Sequence, residues 1–201
     1  MNFSTLSNLL NTLSLKLENL DFLALIALRL YLAPVFWVAG MNKLNDMDSV
    51  ISWFGNSEWG LGLPFPELLA WLATLTEVGA AVLLVIGLAT RWVSIPLIIT
   101  MLVAIFAVHW PNGWQAVADP QSPFAPEDID DVMHRLNIAR EILQEHGNYS
   151  WLTGRGSVVI SNNGIEWATT YLLMCLVLLV KGAGNYLSLD YYIKGYFAAR
   201  S

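Results

Sequence analysis

The chain has 201 residues, enough for one domain, and 56% of them are hydrophobic against 13% charged. A soluble surface usually needs about 25% charge, so the composition points to a membrane protein. A net charge of −6 without a basic patch argues against a nucleic-acid partner, and the single cysteine, Cys175, excludes an internal disulfide and any two-cysteine redox motif.

Residues 1–21 have the spacing of an amphipathic helix. Phe3, Leu6, Leu10, Leu13, Leu17 and Leu20 recur at alternating steps of three and four, with serines and asparagines between them. Such a helix lies on the membrane surface or packs on the bundle. It lacks the basic start and apolar core of a secretory signal, so the apolar span from Phe22 is expected to act as an uncleaved insertion signal.

Four apolar spans follow, at about 22–44, 66–88, 92–110 and 164–181. Each approaches or exceeds the roughly 20 residues that cross a bilayer core as a helix. The short connection at Ala89, Thr90 and Arg91 makes spans two and three an antiparallel hairpin. Asn45 to Leu63, rich in tryptophan and glycine, reads as an interfacial loop capping the bundle. Residues 111–163 form a polar insert. Within it, Pro126 to His146 has the acidic start, the apolar face (Ile129, Val132, Met133, Leu136, Leu143) and the closing Gly147 of a helix.

The predicted fold class is all-α: a four-transmembrane-helix bundle with an N-terminal amphipathic helix and a polar helical insert between spans three and four. The expected division is an interfacial helix over 1–21, a membrane domain over 22–190 that includes the insert, and a tail over 191–201. Lys16, Arg91, Lys181, Lys194 and Arg200 fall on one side, which places both termini in the cytoplasm and the insert outside.

Ionisable groups inside membrane spans are costly and mark candidate sites. Here they are Arg29, Glu77, His109 and Glu166, with Lys43 ending the first span. On one helical stripe, Arg29 lies with Ala33, Phe36, Gly40 and Lys43, while Ala70, Ala73 and Ala81 flank Glu77. Helix rise separates Arg29 and Glu77 in depth by about 6 Å, so the two are expected to pair, either as a structural ion pair or as part of a site. Pro34 leaves the Leu30 carbonyl without its helical donor.

Lys43, His109 and Glu166, with Asn42, Asn162 and Asn163, fall near the opposite membrane face. They make a candidate polar pocket roofed by Trp53, Trp59 or Trp110. His134 and His146 belong to the insert helix and read as solvated, and Cys175 reads as a small apolar residue against lipid or a neighbour. No Cys/His cluster suits a metal, a lone histidine in the spans excludes a bis-histidine haem, and no Gly-rich nucleotide loop occurs. A redox role would then require a diffusible quinone or a partner subunit; a quinone pocket needs only apolar walls and a few hydrogen-bonding groups.

The run "RLYLAPVFWVAGMNKL" resembles the first helix of the DoxX family, and "TEVGAAVLLVIGLATRW" resembles its second, with the glutamate and the Gly-Leu-x-Thr-Arg exit. His109 and Glu166 match the family's polar positions in spans three and four. The close, "GAGNYLSLD", is similar to the family's Gly-Pro-Gly-x-x-Ser-x-Asp ending, with Ala183 in place of the proline and one extra residue before Ser188. The resemblance covers about residues 22–190. With "WFGNSEWGLGLPFP", "HWPNGWQAVADP" and the insert, it extends to the DoxX-type subgroup linked to maturation of metal-binding ribosomal peptides.

This resemblance implies a four-span protein of the bacterial inner membrane, in a family named for small subunits of thiosulfate:quinone oxidoreductases and related oxidase components. It carries over Glu77, His109 and Glu166 as candidate catalytic groups and Arg29 and Lys43 as ligand-binding groups, with Asn42 and Asn163 beside them. Two functions are open. One is a quinone-linked redox subunit acting with partner proteins, in which Glu77, or His109 with Glu166, relays protons. The other is a non-enzymatic scaffold or export factor for a small metal-binding peptide docking on the insert. A solute transporter fits less well, since four spans form a path only by oligomerisation and no pair of broken helices is present.

Overall fold

The structure, a computed structural model, describes residues 7, 11–12 and 20–200. The amphipathic helix expected over 1–21 lies largely outside the described residues. The helices are α1 (Asp21–Asn45), α2 (Met47–Gly55), α3 (Pro66–Ile86), α4 (Thr90–Val103), a π-helical turn (Ala104–His109), a 3-10 turn (Trp110–Asn112), α5 (Ile129–His146), α6 (Tyr149–Leu152), α7 (Glu166–Lys181) and α8 (Leu189–Ala198). The isolated antiparallel bridge Val117–Ser161 is the extended pairing seen among the described residues.

Three helical stretches are long and apolar enough to cross a membrane: Asp21–Asn45, Pro66–Ile86 and Thr90–Asn112, of 25, 21 and 23 residues. This differs from the four spans expected, because α7, over the fourth, has only 16 residues. At 1.5 Å per residue it reaches about 24 Å, short of a roughly 30 Å hydrocarbon core.

The chain divides into two compact units, one of residues 1–100 and 171–201, the other of residues 101–170. In the first unit, α1 buries Leu25, Arg29, Leu32, Ala33, Phe36 and Gly40, the stripe read from the sequence. It packs on the face of α3 carrying Ala70, Thr74, Glu77, Ala80, Ala81 and Leu84. Small residues let the two backbones approach closely. A methyl group on Gly40 would lie 3.1 Å from the Val78 amide nitrogen and 3.2 Å from Glu77 Cβ, so Gly40 fixes the register opposite residues 77 and 78.

The C-terminal part of α7 runs antiparallel to α1. The Tyr171 ring is 6.4 Å from Phe36 and 6.5 Å from Tyr31, while Tyr186, just past the helix, meets Phe22 edge-on at 5.2 Å. Cys175 and Leu178 are fully buried on the way. The outward faces of the spans expose Leu30, Val38, Leu75, Val85 and Ile99, each more than half exposed. In water such apolar surface would be a liability; against acyl chains it is the required covering.

Within the segment expected to be a loop, residues 47–55 form α2. Asp46 caps it by accepting from the Ser49 amide at 3.2 Å, and Phe54 is buried. The chain then turns back, with Leu61 and Leu63 amides bonding to the Trp53 and Phe54 carbonyls at 2.9 and 2.8 Å. The second unit holds α5 by its buried Leu136 and by Arg140, which donates to the Val158 carbonyl at 2.8 Å. The Gly147 amide closes α5 on the Leu143 carbonyl at 3.0 Å, the end expected from the sequence.

Candidate functional site

In the first unit the acid of the candidate set is neutralised by a lysine. Lys43 Nζ donates to both Glu77 oxygens, at 2.8 and 2.7 Å. The Glu77 side chain is 4% exposed and that of Lys43 is 26% exposed, so the pair reaches from the margin of the bundle to a dry carboxylate. This corrects the expected Arg29–Glu77 pair. Side chains on a helix lean toward its N-terminus. On the antiparallel α1 and α3, Lys43 and Glu77 lean toward one another, whereas Arg29 and Glu77 lean apart. The packing register decides it: Gly40 lies opposite residues 77 and 78, which leaves Arg29, further back along α1, about 16 Å from the level of Glu77 and beside Gly87 instead.

Arg29 serves a different junction. It is 1% exposed, and Nη2 donates to the Leu187 carbonyl at 2.7 Å. Nε and Nη1 have no hydrogen-bond partner among the described residues. The guanidinium lies against Gly87, where any β-carbon would overlap it, and within electrostatic range of Asp190. Gly87 has φ +67°, so the α3 C-terminus needs a residue that tolerates the left-handed region as well as the closeness.

The Asp190 carboxylate accepts from the Ala89 and Thr90 amides at 2.7 and 3.0 Å, and its own amide donates to the Gly87 carbonyl at 3.0 Å. Ser188 caps α8, accepting from the Tyr191 amide at 3.3 Å and donating to the Gly184 carbonyl at 2.6 Å. The "GLATR" exit of α3 and the "SLD" close are thus one junction. Sequence spacing alone could not join segments a hundred residues apart.

In the second unit, His109 Nδ1 is 2.8 Å from the Asn163 carbonyl, which also accepts from Asn112 Nδ2 at 3.1 Å. A carbonyl only accepts, so Nδ1 carries the proton, and in the tautomer with that single proton Nε2 is the acceptor. Asn163 takes part through its backbone, at φ +56°. His109 stands on the π-helical turn, a distortion found often at functional sites and invisible to apolar periodicity. On either side of it in the chain, the exposed Phe106 and Trp110 have their rings 5.4 Å apart.

Glu166 Oε2 accepts from the Ala116 amide at 2.9 Å, and its own amide donates to the Trp114 carbonyl at 2.9 Å. Glu166 therefore opens α7 while holding the loop that follows the π-helical turn. Asn162 belongs to the same frame, donating to the Asn112 and Gln115 carbonyls at 2.6 and 3.2 Å. Asn42 is exposed on α1, off the buried stripe. Trp59 and Trp110 are exposed, and Trp53 is half-buried against Phe54. Among the described residues, no group of three or more His, Cys, Asp or Glu side chains is placed to hold a metal ion.

Apolar spans with lipid-type outer faces and charge held inside define a multi-pass membrane protein. The DoxX family model matches residues 24–110, the stretch that carries Arg29, Lys43, Glu77 and His109, and that stretch is a DoxX domain. No curated protein and no solved structure matches it.

Proposed function

We propose that this chain is an integral membrane subunit of a quinone-linked redox system, working with partner proteins in the bacterial inner membrane. The observation that carries the reading is His109. Its Nδ1 is committed to the Asn163 carbonyl, its Nε2 is open among the described residues, and the exposed Phe106 and Trp110 rings, paired with one another, flank it in the chain. Those groups fit the reduced form of a quinone: a flat apolar ring whose hydroxyl donates to Nε2. A bound quinone would supply two-electron, two-proton chemistry.

Toward the reduced form, His109 Nε2 would accept the proton of one hydroxyl, the second hydroxyl proton would pass to water, and Phe106 and Trp110 would provide the apolar wall. Electrons leave through a partner subunit. Glu166 positions the loop that carries the site. The Lys43–Glu77 pair in the other unit is a second proton-exchanging candidate, since a buried carboxylate with a partly exposed ammonium is a two-group relay.

Four crossings belong to this reading. The antiparallel run of α7 beside α1, from Phe36 to Phe22, supports α7 as a short fourth span. Both termini then face the cytoplasm and residues 111–163 lie outside. The test is photolabelling of membranes with an azidoquinone. The expected result is label on the peptide around Phe106–Trp114, competed by excess quinone and weakened by His109→Ala. Label elsewhere, or none, overturns the reading.

The scaffold reading has one observation of its own. On α5, Ile138 and Ile142 are 43% and 53% exposed one turn apart, an apolar patch for a docking peptide. Deleting Glu127–His146 should then abolish capture of a cysteine-rich metal-binding peptide while the spans still insert. Retained capture removes this alternative.

A further inference from the structure

We propose that α8 is an interfacial anchor seated in the headgroup layer of an anionic bilayer, on the membrane face where the α3–α4 turn lies. Leu189, Tyr192, Ile193, Tyr196 and Phe197 recur at steps of three and one, which places them on one face of the helix. All five are 43–66% exposed, so no other part of the described chain covers that face. Gly195 and Ala198 lie on the opposite side.

The location comes from the junction. Asp190 is bonded to the Ala89 and Thr90 amides and the Gly87 carbonyl, and these residues link two candidate spans. The helix therefore starts at a span boundary, where headgroups begin. Its aromatic content suits that depth, because tyrosine places an apolar ring and a polar hydroxyl across the boundary.

The sign of the lipid comes from charge. The chain carries −6 overall, yet its segment from Lys181 to Arg200 holds Lys181, Lys194 and Arg200 against Asp190 alone. The Asp190 carboxylate is already engaged by two amides beside Arg29. Arg91 adds a cation at the same end, donating to the Lys181 carbonyl at 3.3 Å, and Arg200 lies 4.1 Å over the Tyr196 ring. An apolar face with an unneutralised cationic surround is the pattern that binds anionic lipid surfaces.

The experiment uses the full chain in proteoliposomes. Cys175 is fully buried and can stay. Ile193→Cys, Phe197→Cys and, as the opposite-face control, Gly195→Cys are labelled with a polarity-sensitive fluorophore. A lipid spin-labelled near the top of its acyl chain should quench positions 193 and 197 about threefold more than 195, with aqueous iodide showing the reverse order. The contrast should grow when phosphatidylglycerol is mixed into phosphatidylcholine. Equal iodide access at all three positions overturns the proposal. So does protection of 193 and 197 from both quenchers, which would place a protein there, and so does a contrast indifferent to phosphatidylglycerol.

Discussion

At the residue scale, the Lys43–Glu77 pair makes an asymmetric prediction. Glu77 is nearly dry, whereas Lys43 is partly exposed on a flexible stem that can turn outward to the interface. Lys43→Ala strands a buried carboxylate and should cost about 3 kcal/mol. Glu77→Ala should cost clearly less, because the released ammonium finds water. Thermal unfolding of the purified protein in one detergent gives the order; equal losses would show that the two ends share one environment. Gly87→Ala should destabilise by at least about 1 kcal/mol from its positive φ alone, with more from the overlap with Arg29. Adding Arg29→Met should recover part of that overlap and none of the φ strain, so the double variant should lose less than the sum of the singles. Strict additivity would mean that Arg29 and Gly87 do not touch.

At the scale of elements, what the sequence made legible was the inward stripe of α1. Arg29, Ala33, Phe36 and Gly40 recur at helical period, and period survives whatever the helix packs against. Partner choice was not legible, since it depends on the packing register of α1 on α3, which Gly40 opposite residues 77 and 78 sets and which depths counted from span ends do not give. Helix α2 was obscured because tryptophans and glycines suggested a loop, although Asp46 with Ser49 three residues later supplies an N-terminal cap. The π-helical turn under His109 left no mark in an apolar run. Glu166 is an element-scale residue too, because it ties the start of α7 to the Ala116 amide. Glu166→Gln keeps an acceptor for that amide and should unfold like the native protein, while Glu166→Ala should lose about 1 kcal/mol. If Glu166→Gln retains stability but loses redox turnover, the carboxylate handles protons; if it loses neither, Glu166 only positions the loop.

At the scale of the molecule, the junction of α3, α4 and α8 fastens one end of the first unit. Asp190 caps the start of α4 from a hundred residues away, and Arg29 on α1 bonds to the Leu187 carbonyl, so the segment after α7 returns to the same end of the unit as the start of α1. The chain reaches that segment through α7, whose C-terminal part descends beside α1 from Phe36 to Phe22, a drop of about 20 Å. A helix of 16 residues is about 24 Å long, and Lys181 at its C-terminal end has a stem long enough to reach the headgroups. If α7 crosses as proposed, the residues before it and those after it lie on opposite sides of the bilayer. A phosphatase reporter, active only outside the cytoplasm, should be active when placed at Gly147 in the insert and silent after Arg200, and a fluorescent protein that matures only in the cytoplasm should give the reverse pattern. Matching signals at the two positions would mean that α7 does not cross, leaving three spans and the C-terminus on the side of the insert. Asp190→Ala separates this from a folding defect: it should cost about 1–2 kcal/mol through the lost cap of α4 and loosen α8 to proteolysis, yet leave the reporter pattern unchanged, because the apolar length of the spans sets topology and the junction only fastens its end.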